Sequence, residues 1–515
     1  MLLDEDVPPV SLEEVRTSLR RLKNHKAPGL DGIPSELWKE GGDAVCEALH
    51  GLIVKVWSAE RIPEEWKEAL IVPVHKKGDR KECSNYRGIS LISTAYKVLS
   101  NILFARLTPY AEAVLGDYQC GFRKNRSTTD QLFVLRQIME KKWERNGVVH
   151  SLFVDFRKAY DSVHRQGLFN ILYEFGFPVK LVRLTAACLN GVRSRVVLEG
   201  SFSEAFDIET GLRQGDGLSP LLFNIVMERI VRAVLEVPGG VYLGSDFKVL
   251  GFADDIALLG ESRAEVRRLC EPLINTARRC GLEVNADKTE FLTMSRNGGG
   301  GAALRVEDLE FKGVANFKYL GSQFTSDNNM SQEVTARLQC ASRGLYAVRR
   351  LLVSRLISRK TKLRIWNAVL RPMVLYGCES WSLTARDRSR LLVFENRVLR
   401  TILGPVWDPV TGQPRIRSNR DVRNLTGQPL ITSVIRSRRL QWAGHVVRAP
   451  EERGIHKALY GRAMGRRPQG RPRLRWVDNV RQDATSLGVR DWQAAARDRG
   501  RWKAVVEAAV GLQTL

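Results

Sequence analysis

The sequence predicts an α+β protein of about three domains, at the usual size of roughly 150 residues each. Three observations carry that reading. Long segments such as STAYKVLSNILFARL (93–107) and TTDQLFVLRQIMEKKWERN (128–146) repeat apolar residues at helical spacing. Short apolar runs such as HSLFVDF (150–156) and GFADDIALL (251–259) read as buried strands carrying carboxylates. The last third is helical and basic, whereas the rest is neutral.

At 515 residues, 43% hydrophobic and 27% charged, the composition is that of a globular chain. No apolar run reaches the ~18 residues of a membrane span. The first residues, MLLDEDVPPV, are acidic where a secretory leader is basic and then apolar. These features predict a soluble intracellular protein that contacts no membrane. The eight cysteines are scattered, the nearest pair being Cys270 and Cys280, so they read as reduced structural thiols.

Charge is divided sharply. Residues 331–515 hold 37 Lys+Arg against 13 Asp+Glu, and the totals of 81 and 57 leave 44 of each in residues 1–330. Beyond residue 400 the cations are 20 Arg and 2 Lys. The arginine fork grips phosphate at two points and stacks on bases. A polyanion, with nucleic acid foremost, is the expected partner; an Arg-rich solvated surface is the alternative.

In chain order, SLEEVRTSLRRL (11–22) reads as a helix whose Ser11 and Glu14 suit a capping box. APGLDGIP (27–34) is a turn, and WKEALIVPVH (66–75) contains a strand. A helix follows the 150–156 strand within DSVHRQGLFNILYEFG (161–176). RSRVVLEG (193–200) and SEAFDIETG (203–211) suit a hairpin. Ser219 and Pro220 cap the helix LLFNIVMERIVRAVLEV (221–237). GFADDIALL reads as strand, two-residue break, strand, and SRAEVRRLCEPLINTARRCG (262–281) as a helix ending on glycine. EFLTMS (290–295) and FKYLGSQF (317–324) are short strands, and GGGGA (298–302) is a flexible loop. Residues 331–400 are helical and basic, and GRRPQGRPRLRW (465–476) is a loop or extended arm. Trp442, Trp476, Trp492 and Trp502 alternate with arginines in the tail, which fits either the core of a small helical domain or base stacking. There is no internal repeat.

Asp254 and Asp255 lie between apolar residues, where two like charges repel and resist leaving water. A third carboxylate, Asp155, ends the apolar run of SLFVDFRKAYDSV (151–163). If these strands share a sheet, the three converge. Two Mg²⁺ ions about 3.5–4 Å apart then make such a cluster a clamp for phosphoryl transfer. The alternative is a polar hairpin turn without chemistry.

Several motifs in fixed order, from roughly residue 20 to 330, resemble reverse transcriptases of non-LTR (LINE-type) retrotransposons. FADD (252–255) resembles the family's diagnostic motif, FVDFRKAYDSV its first catalytic strand, and GLRQGDGLSPLLFNIVM (211–227) the loop and helix beneath template and nucleotide. NYRGISLISTAYKVLSNILFARL (85–107) and QCGFRKNRSTTDQL (119–132) resemble its fingers motifs. GLEVNADKTEFL (281–292) and FKYLGSQF resemble the two that follow FADD.

The resemblance implies a right-hand polymerase. Its parts are an N-terminal helical extension (1–60), fingers (61–150), a palm with an antiparallel sheet (151–330), a helical thumb (331–400) and an Arg-rich nucleic-acid-binding region (401–515). The implied activity is RNA-directed DNA polymerisation in retrotransposition, with Mg²⁺ or Mn²⁺ as cofactor. RNA template, DNA primer or target DNA, and deoxynucleoside triphosphates are the implied partners, and the nucleus the implied compartment; oligomeric state is not indicated.

Asp155, Asp254 and Asp255 are the implied catalytic metal ligands. Lys76, Lys77, Arg87, Phe156, Tyr160, Gln214, Gly215 and Lys288 are the implied nucleotide contacts, with Tyr160 excluding a 2′-hydroxyl and one of the two lysines holding triphosphate. Arg123 and Arg126 are expected to bind template or brace the fingers. Tyr319, Leu320 and Gly321 are expected to steady the primer end.

The family's endonuclease is expected to be missing. The chain begins almost at the fingers, lacks cysteine after Cys378 for a zinc knuckle, and has no acidic cluster in its tail. The competing reading is a catalytically silent nucleic-acid-binding descendant. An RNA-templated RNA polymerase fits the aromatic at position 160 poorly.

Overall fold

The computed structural model describes residues 7–298, 301–408, 410–470 and 473–511. Gly299 and Gly300 of the expected glycine loop, and Arg471 and Pro472 of the expected arm, lie outside these residues.

Helix α1 (Leu12–Arg21) opens on the expected capping box: Ser11 N donates to Glu14 at 2.9 Å, and Glu14 N to Ser11 Oγ at 3.3 Å. After α2 (Gly42–Ala59) come β1 (Glu68–His75), β2 (Tyr86–Leu91), α3 (Thr94–Val114) and α4 (Thr128–Glu144). Then follow β3 (Val149–Val154), α5 (Arg165–Glu174), α6 (Val179–Leu189), β4 (Val192–Leu198), β5 (Ser201–Phe202), β6 (Phe206–Ile208) and α7 (Ser219–Leu235). The catalytic-motif region continues with β7 (Val249–Phe252), β8 (Asp255–Gly260), α8 (Arg263–Arg279) and β9 (Glu290–Met294). Strands β10 (Leu304–Val306), β11 (Leu309–Val314), β12 (Asn316–Tyr319) and β13 (Ser322–Thr325) complete the sheets. Beyond them lie α9 (Met330–Val353), α10 (Ala385–Leu403), α11 (Ile431–Val447), α12 (Gly454–Tyr460), α13 (Trp476–Thr485) and α14 (Arg499–Gly511).

One sheet runs β2-β1-β4-β5 with β6 on β4. The hairpin expected over 193–211 forms, since β4 pairs antiparallel with β5 and β6. Its other edge pairs in parallel with β1, a long-range contact that no local pattern announces.

The larger sheet runs β10-β11-β9-β3-β8-β7 and is antiparallel except between β9 and β11. All six residues of β3 are buried, because both faces of the sheet are covered. Leu152, Val154, Ile256 and Leu258 pack in a core shared with α7 and α8. Their neighbours Phe153, Ala257 and Leu259 point the other way, into a core shared with α4.

That second core continues without a break into the C-terminal region, through Leu440, Trp476, Val480 and Trp502. The tail tryptophans are therefore interior. Trp476, Trp492 and Trp502 are buried, and Trp442 is half-buried. The indole N–H of Trp476 donates to Glu379 O at 2.7 Å and that of Trp502 to Leu440 O at 2.8 Å. Rings held this way stack on no base.

Helix α4 fastens the C-terminal region to the sheet. Lys141 Nζ donates to the carbonyls of Ala458, Leu459 and Gly461 at 2.6–2.7 Å, satisfying the open end of α12. Glu140 accepts the Trp476 N–H at 2.9 Å, and Arg453 pairs with the buried Asp130. Part of the tail's cationic surplus is likewise internal. Arg436 and Arg439 pair with Asp483 and Arg423 with Glu395, while Arg473 lies over the Trp143 ring at 4.4 Å. Arg423, Arg436 and Arg439 thus neutralise carboxylates of the fold itself.

Arg453→Ala should lower stability by about 3 kcal/mol, because Asp130 is left buried without its direct partner; the urea midpoint measures it. His150, buried on β3 against Thr293 Oγ1 at 3.0 Å, has its pKa pushed down to about 4 by burial. A depressed histidine stabilises the fold above its unfolded value and loses that contribution as pH falls. His150→Gln should therefore remove about 2 kcal/mol of the stability loss between pH 6.5 and 4, after allowance for partial solvent screening.

Candidate active site

The two aspartates owe their place to a two-residue turn. Pairing of Phe252 with Asp255 leaves Ala253 and Asp254 as the link between β7 and β8. Ala253 has φ +56°, an uncommon conformation for a residue with a side chain. It is held there from outside: Ala253 N donates to Gln119 Oε1 at 2.8 Å, and Gly251 exchanges backbone bonds of 2.9 Å with Tyr118 and Cys120. A Cβ on Gly121 would meet Ala253 N at 2.3 Å, so only glycine lets this segment lie flush against the turn.

Strand register supplies the third carboxylate. Ile256 pairs with Val154, which brings Asp155 beside Asp255 at the end of the sheet. Asp155 is oriented by the loop after α8. Its amide donates to Thr289 Oγ1 at 3.1 Å, its carbonyl accepts from Asn285 N at 2.8 Å, and its Oδ2 from Asn285 Nδ2 at 3.2 Å. Lys288 Nζ stands 3.7 Å from the same Oδ2.

Asp254 and Asp255 are exposed and Asp155 is half-buried, yet the protein around Asp254 and Asp255 removes part of their hydration. Lost hydration, with the charge of Asp155 adding to it, raises the pKa of Asp254, and Arg87 opposes the rise. Lost hydration first, then Asp254 and Asp155, push Asp255 up to about 6. Their oxygens are the hard donors that Mg²⁺ prefers, and three like charges with so little compensation call for a cation. Among the described residues no group of three His, Cys, Asp or Glu side chains is gathered closely enough to hold an ion.

The structure brings several expected residues to this end of the sheet. The Tyr160 ring stacks on Phe223 at 4.4 Å, with its phenol pKa raised first by burial and then by Asp254. Its hydroxyl has no hydrogen-bond partner among the described residues. Gln214 Nε2 donates to Asp161 Oδ1 at 3.0 Å, while Ser90 N donates to the Gln214 carbonyl at 2.8 Å. Gly215, at φ +123°, lies where a Cβ would meet Ser90 O at 2.7 Å. Arg87 is exposed on β2 opposite Val74, within the field of Asp254. Lys76 and Lys77 stand exposed just past β1, and the fold does not single out either.

Other expected residues are used differently. Phe156 is buried in the core and bridges to Val284, so its ring offers no face to a nucleotide. Arg123 is bound by Glu112 at 2.7 Å and by the Gly116 and Gln119 carbonyls, and Arg126 by Asp117 at 2.6 Å. Both brace the fold, and neither presents a free charge to a template. Tyr319 is buried against Phe153, leaving Leu320 and Gly321 as a left-handed turn between β12 and β13. Residues beyond β13 hold that turn: Tyr376 Oη donates to Leu320 O at 2.7 Å, and Arg337 of α9 to Gly321 O.

Sequence reading overlooked Gln119, Gly121, Asn285 and Thr289. All four lie inside the quoted stretches QCGFRKNRST and GLEVNADKTEF. Their signal was a polar or glycine residue next to an apolar run, and only the neighbouring strand reveals what it holds.

Residues 74–324 match the family described as "Reverse transcriptase (RNA-dependent DNA polymerase)". The chain is 26% identical over 411 residues to the probable RNA-directed DNA polymerase from transposon BS of Drosophila melanogaster, covering 77% of this chain and 45% of that protein. It is 27% identical over 420 residues to the corresponding protein of the X-element in the same species, covering 79% and 45%. The Pol polyprotein of the type-1 retrotransposable element R2 of Popillia japonica is 26% identical over 390 residues, covering 73% and 52%. The chain spans about half the length of the curated relatives it matches.

If the carboxylates are a cation site, Mg²⁺ at about ten times its dissociation constant should stabilise the protein by about 1.4 kcal/mol. The rise in melting temperature should vanish in Asp254→Asn; an equal rise in that variant would place the ion elsewhere.

Proposed function

Residues 74–324 are a reverse transcriptase domain of the non-LTR retrotransposon kind, and from that premise we propose that the chain adds deoxynucleotides to a primer 3′-hydroxyl on an RNA template. The observation that carries this reading is the meeting of Asp155 with the Asp254–Asp255 turn through the β3–β8 register. Asp155, Asp254 and Asp255 are the residues that would hold Mg²⁺, or Mn²⁺ in its place. When bound, the metal supplies positive charge that activates a hydroxyl and neutralises phosphate.

The protein's own groups do the rest. Asn285 and Thr289 keep Asp155 aimed at the turn. Arg87, Lys288 and either Lys76 or Lys77 face the triphosphate and offset its charge in a preorganised field. Tyr160, backed by Phe223, presents a flat face that crowds a ribose 2′-hydroxyl, and Gln214 and Gly215 flank the nascent pair. The Leu320–Gly321 turn steadies the primer end, coupled to the thumb through Tyr376 and Arg337.

Duplex binding falls to the thumb. Between Val334 and Cys378 the chain has ten Lys and Arg and no Asp or Glu. There Tyr346 and Leu356 are 82% and 98% exposed, an aromatic and an aliphatic surface among cations. Phosphate neutralisation by such a surface makes affinity fall with salt.

Primer extension on RNA and DNA templates, with each nucleotide type, tests the reading. Asp254→Ala should reduce extension at least about 100-fold while template binding persists; retained activity refutes it. Tyr160→Ala should reduce discrimination against ribonucleotides by about 10- to 100-fold. A wild type that binds primer–template but never extends it would favour a silent nucleic-acid-binding role.

A further inference from the structure

The substrate loop at Gln214 and Gly215 raises the question of what holds it, since one of its residues is exposed glycine. The next residue, Asp216, points inward. It is 4% exposed, and its carboxylate accepts hydrogen bonds from Tyr96 Oη at 2.8 Å, from Ser100 Oγ and from Leu218 N at 3.2 Å. Tyr96 and Ser100 are fully buried and one turn apart on α3. Among the hydrogen bonds and ion pairs of the described residues, Asp216 makes no direct pair with a cation. A buried carboxylate held by three neutral donors is costly unless its position is fixed.

Helix α3 is itself fixed at the end nearest that carboxylate. Ser93, which caps it, donates to Asp31 Oδ2 at 2.7 Å, and Thr94 Oγ1 donates to Ile33 O at 3.1 Å. A Cβ on Gly29 would meet Ser93 N at 2.5 Å, so the APGLDGIP turn lies directly on the helix start. Lys97, half-buried on α3, feels the charge of both Asp31 and Asp216. The turn at 27–34, which lies outside the matched domain, is thus connected through α3 to the loop that flanks the nucleotide.

We infer that Asp216 is a positioning residue for nucleotide binding: it locks the Gln214–Gly215 loop to α3 and acts on the substrate through Gln214. This rests on the polymerase reading above. Gln214 is tethered on its other sides by Ser90 and Asp161, so releasing Asp216 swings the loop about those two points instead of unfolding it.

The test compares Asp216→Asn, Tyr96→Phe, Gln214→Ala and the Asp216→Asn/Gln214→Ala pair in steady-state extension. Binding of a deoxynucleoside triphosphate to the enzyme–primer–template complex is measured alongside. Asp216→Asn and Tyr96→Phe should each raise the nucleotide KM about ten-fold, the effect of mispairing one buried hydrogen bond, with kcat changed by less than about three-fold. In the Gln214→Ala background, Asp216→Asn should add less than about a two-fold further rise, because the two act as a unit. Multiplying effects in the double variant, or a kcat loss with KM unmoved, would show that Asp216 holds the fold and nothing more. Tyr96→Phe, which removes one hydroxyl, carries the comparison if Asp216→Asn does not fold. The binding arm separates the two levels: a wild type that binds nucleotide without extending the primer refutes polymerisation, while the affinities still decide the role of Asp216.

Discussion

Repulsion among Asp155, Asp254 and Asp255 is the constraint to which the rest of this protein answers. Three carboxylates at one end of a sheet lose hydration and gain little from nearby cations, and the pKa values of Asp254 and Asp255 rise in consequence. Such a cluster persists only where the backbone leaves it no alternative. Here β3 is buried on both faces, β8 is registered against it, and the Ala253 turn is clamped by Gln119 and Gly121 from a separate segment. The apolar cores above and below the sheet supply the stability that lets the charged end stay strained toward function.

Positive charge is divided along the chain. In residues 1–330 the 44 Lys and Arg are matched by 44 Asp and Glu, and beside the carboxylates Lys288 stands 3.7 Å from Asp155 while Arg87 opposes the rise in the pKa of Asp254. The surplus lies behind, and it has two uses. Arginines such as Arg423, Arg439 and Arg453 are buried partners of Glu395, Asp483 and Asp130, joining helices that would otherwise leave carboxylates uncompensated. Others, such as Arg343, Arg349, Arg350 and Arg355 on and just after α9, remain exposed near Tyr346 and Leu356 in the sequence. Net charge alone does not distinguish the two populations.

The C-terminal region shares a core with the sheet instead of hanging from the thumb. Leu440, Trp476 and Trp502 continue the layer that begins with Phe153 and Leu259, and α4 connects both sides through Lys141, Glu140 and Asp130. The tail is therefore packed on the same helix that lies beneath β3 and β8. The Leu320–Gly321 turn is tied likewise to the segment that follows β13, since Tyr376 and Arg337 hold its carbonyls.

The amino-acid order determined the helices, the buried strands and the carboxylates to suspect, because periodicity and the oddity of charge within apolar runs are local properties. It also indicated the capping box at Ser11 and a two-residue break within GFADDIALL, which the structure sets at Ala253–Asp254, one residue ahead of the expected Asp254–Asp255 turn. Tertiary structure alone decided which charges are free. Arg123 and Arg126 read equally as template contacts or as braces until Glu112 and Asp117 appear beside them, and Phe156 as a nucleotide contact until its ring is seen in the core. The parallel β1–β4 pairing and the hold of Gln119 on the Ala253–Asp254 turn were equally beyond reach, and of the two readings of the tail tryptophans only the structure chose the core. Each depends on partners distant in the chain, and a side chain's chemistry is set by the groups folding places around it.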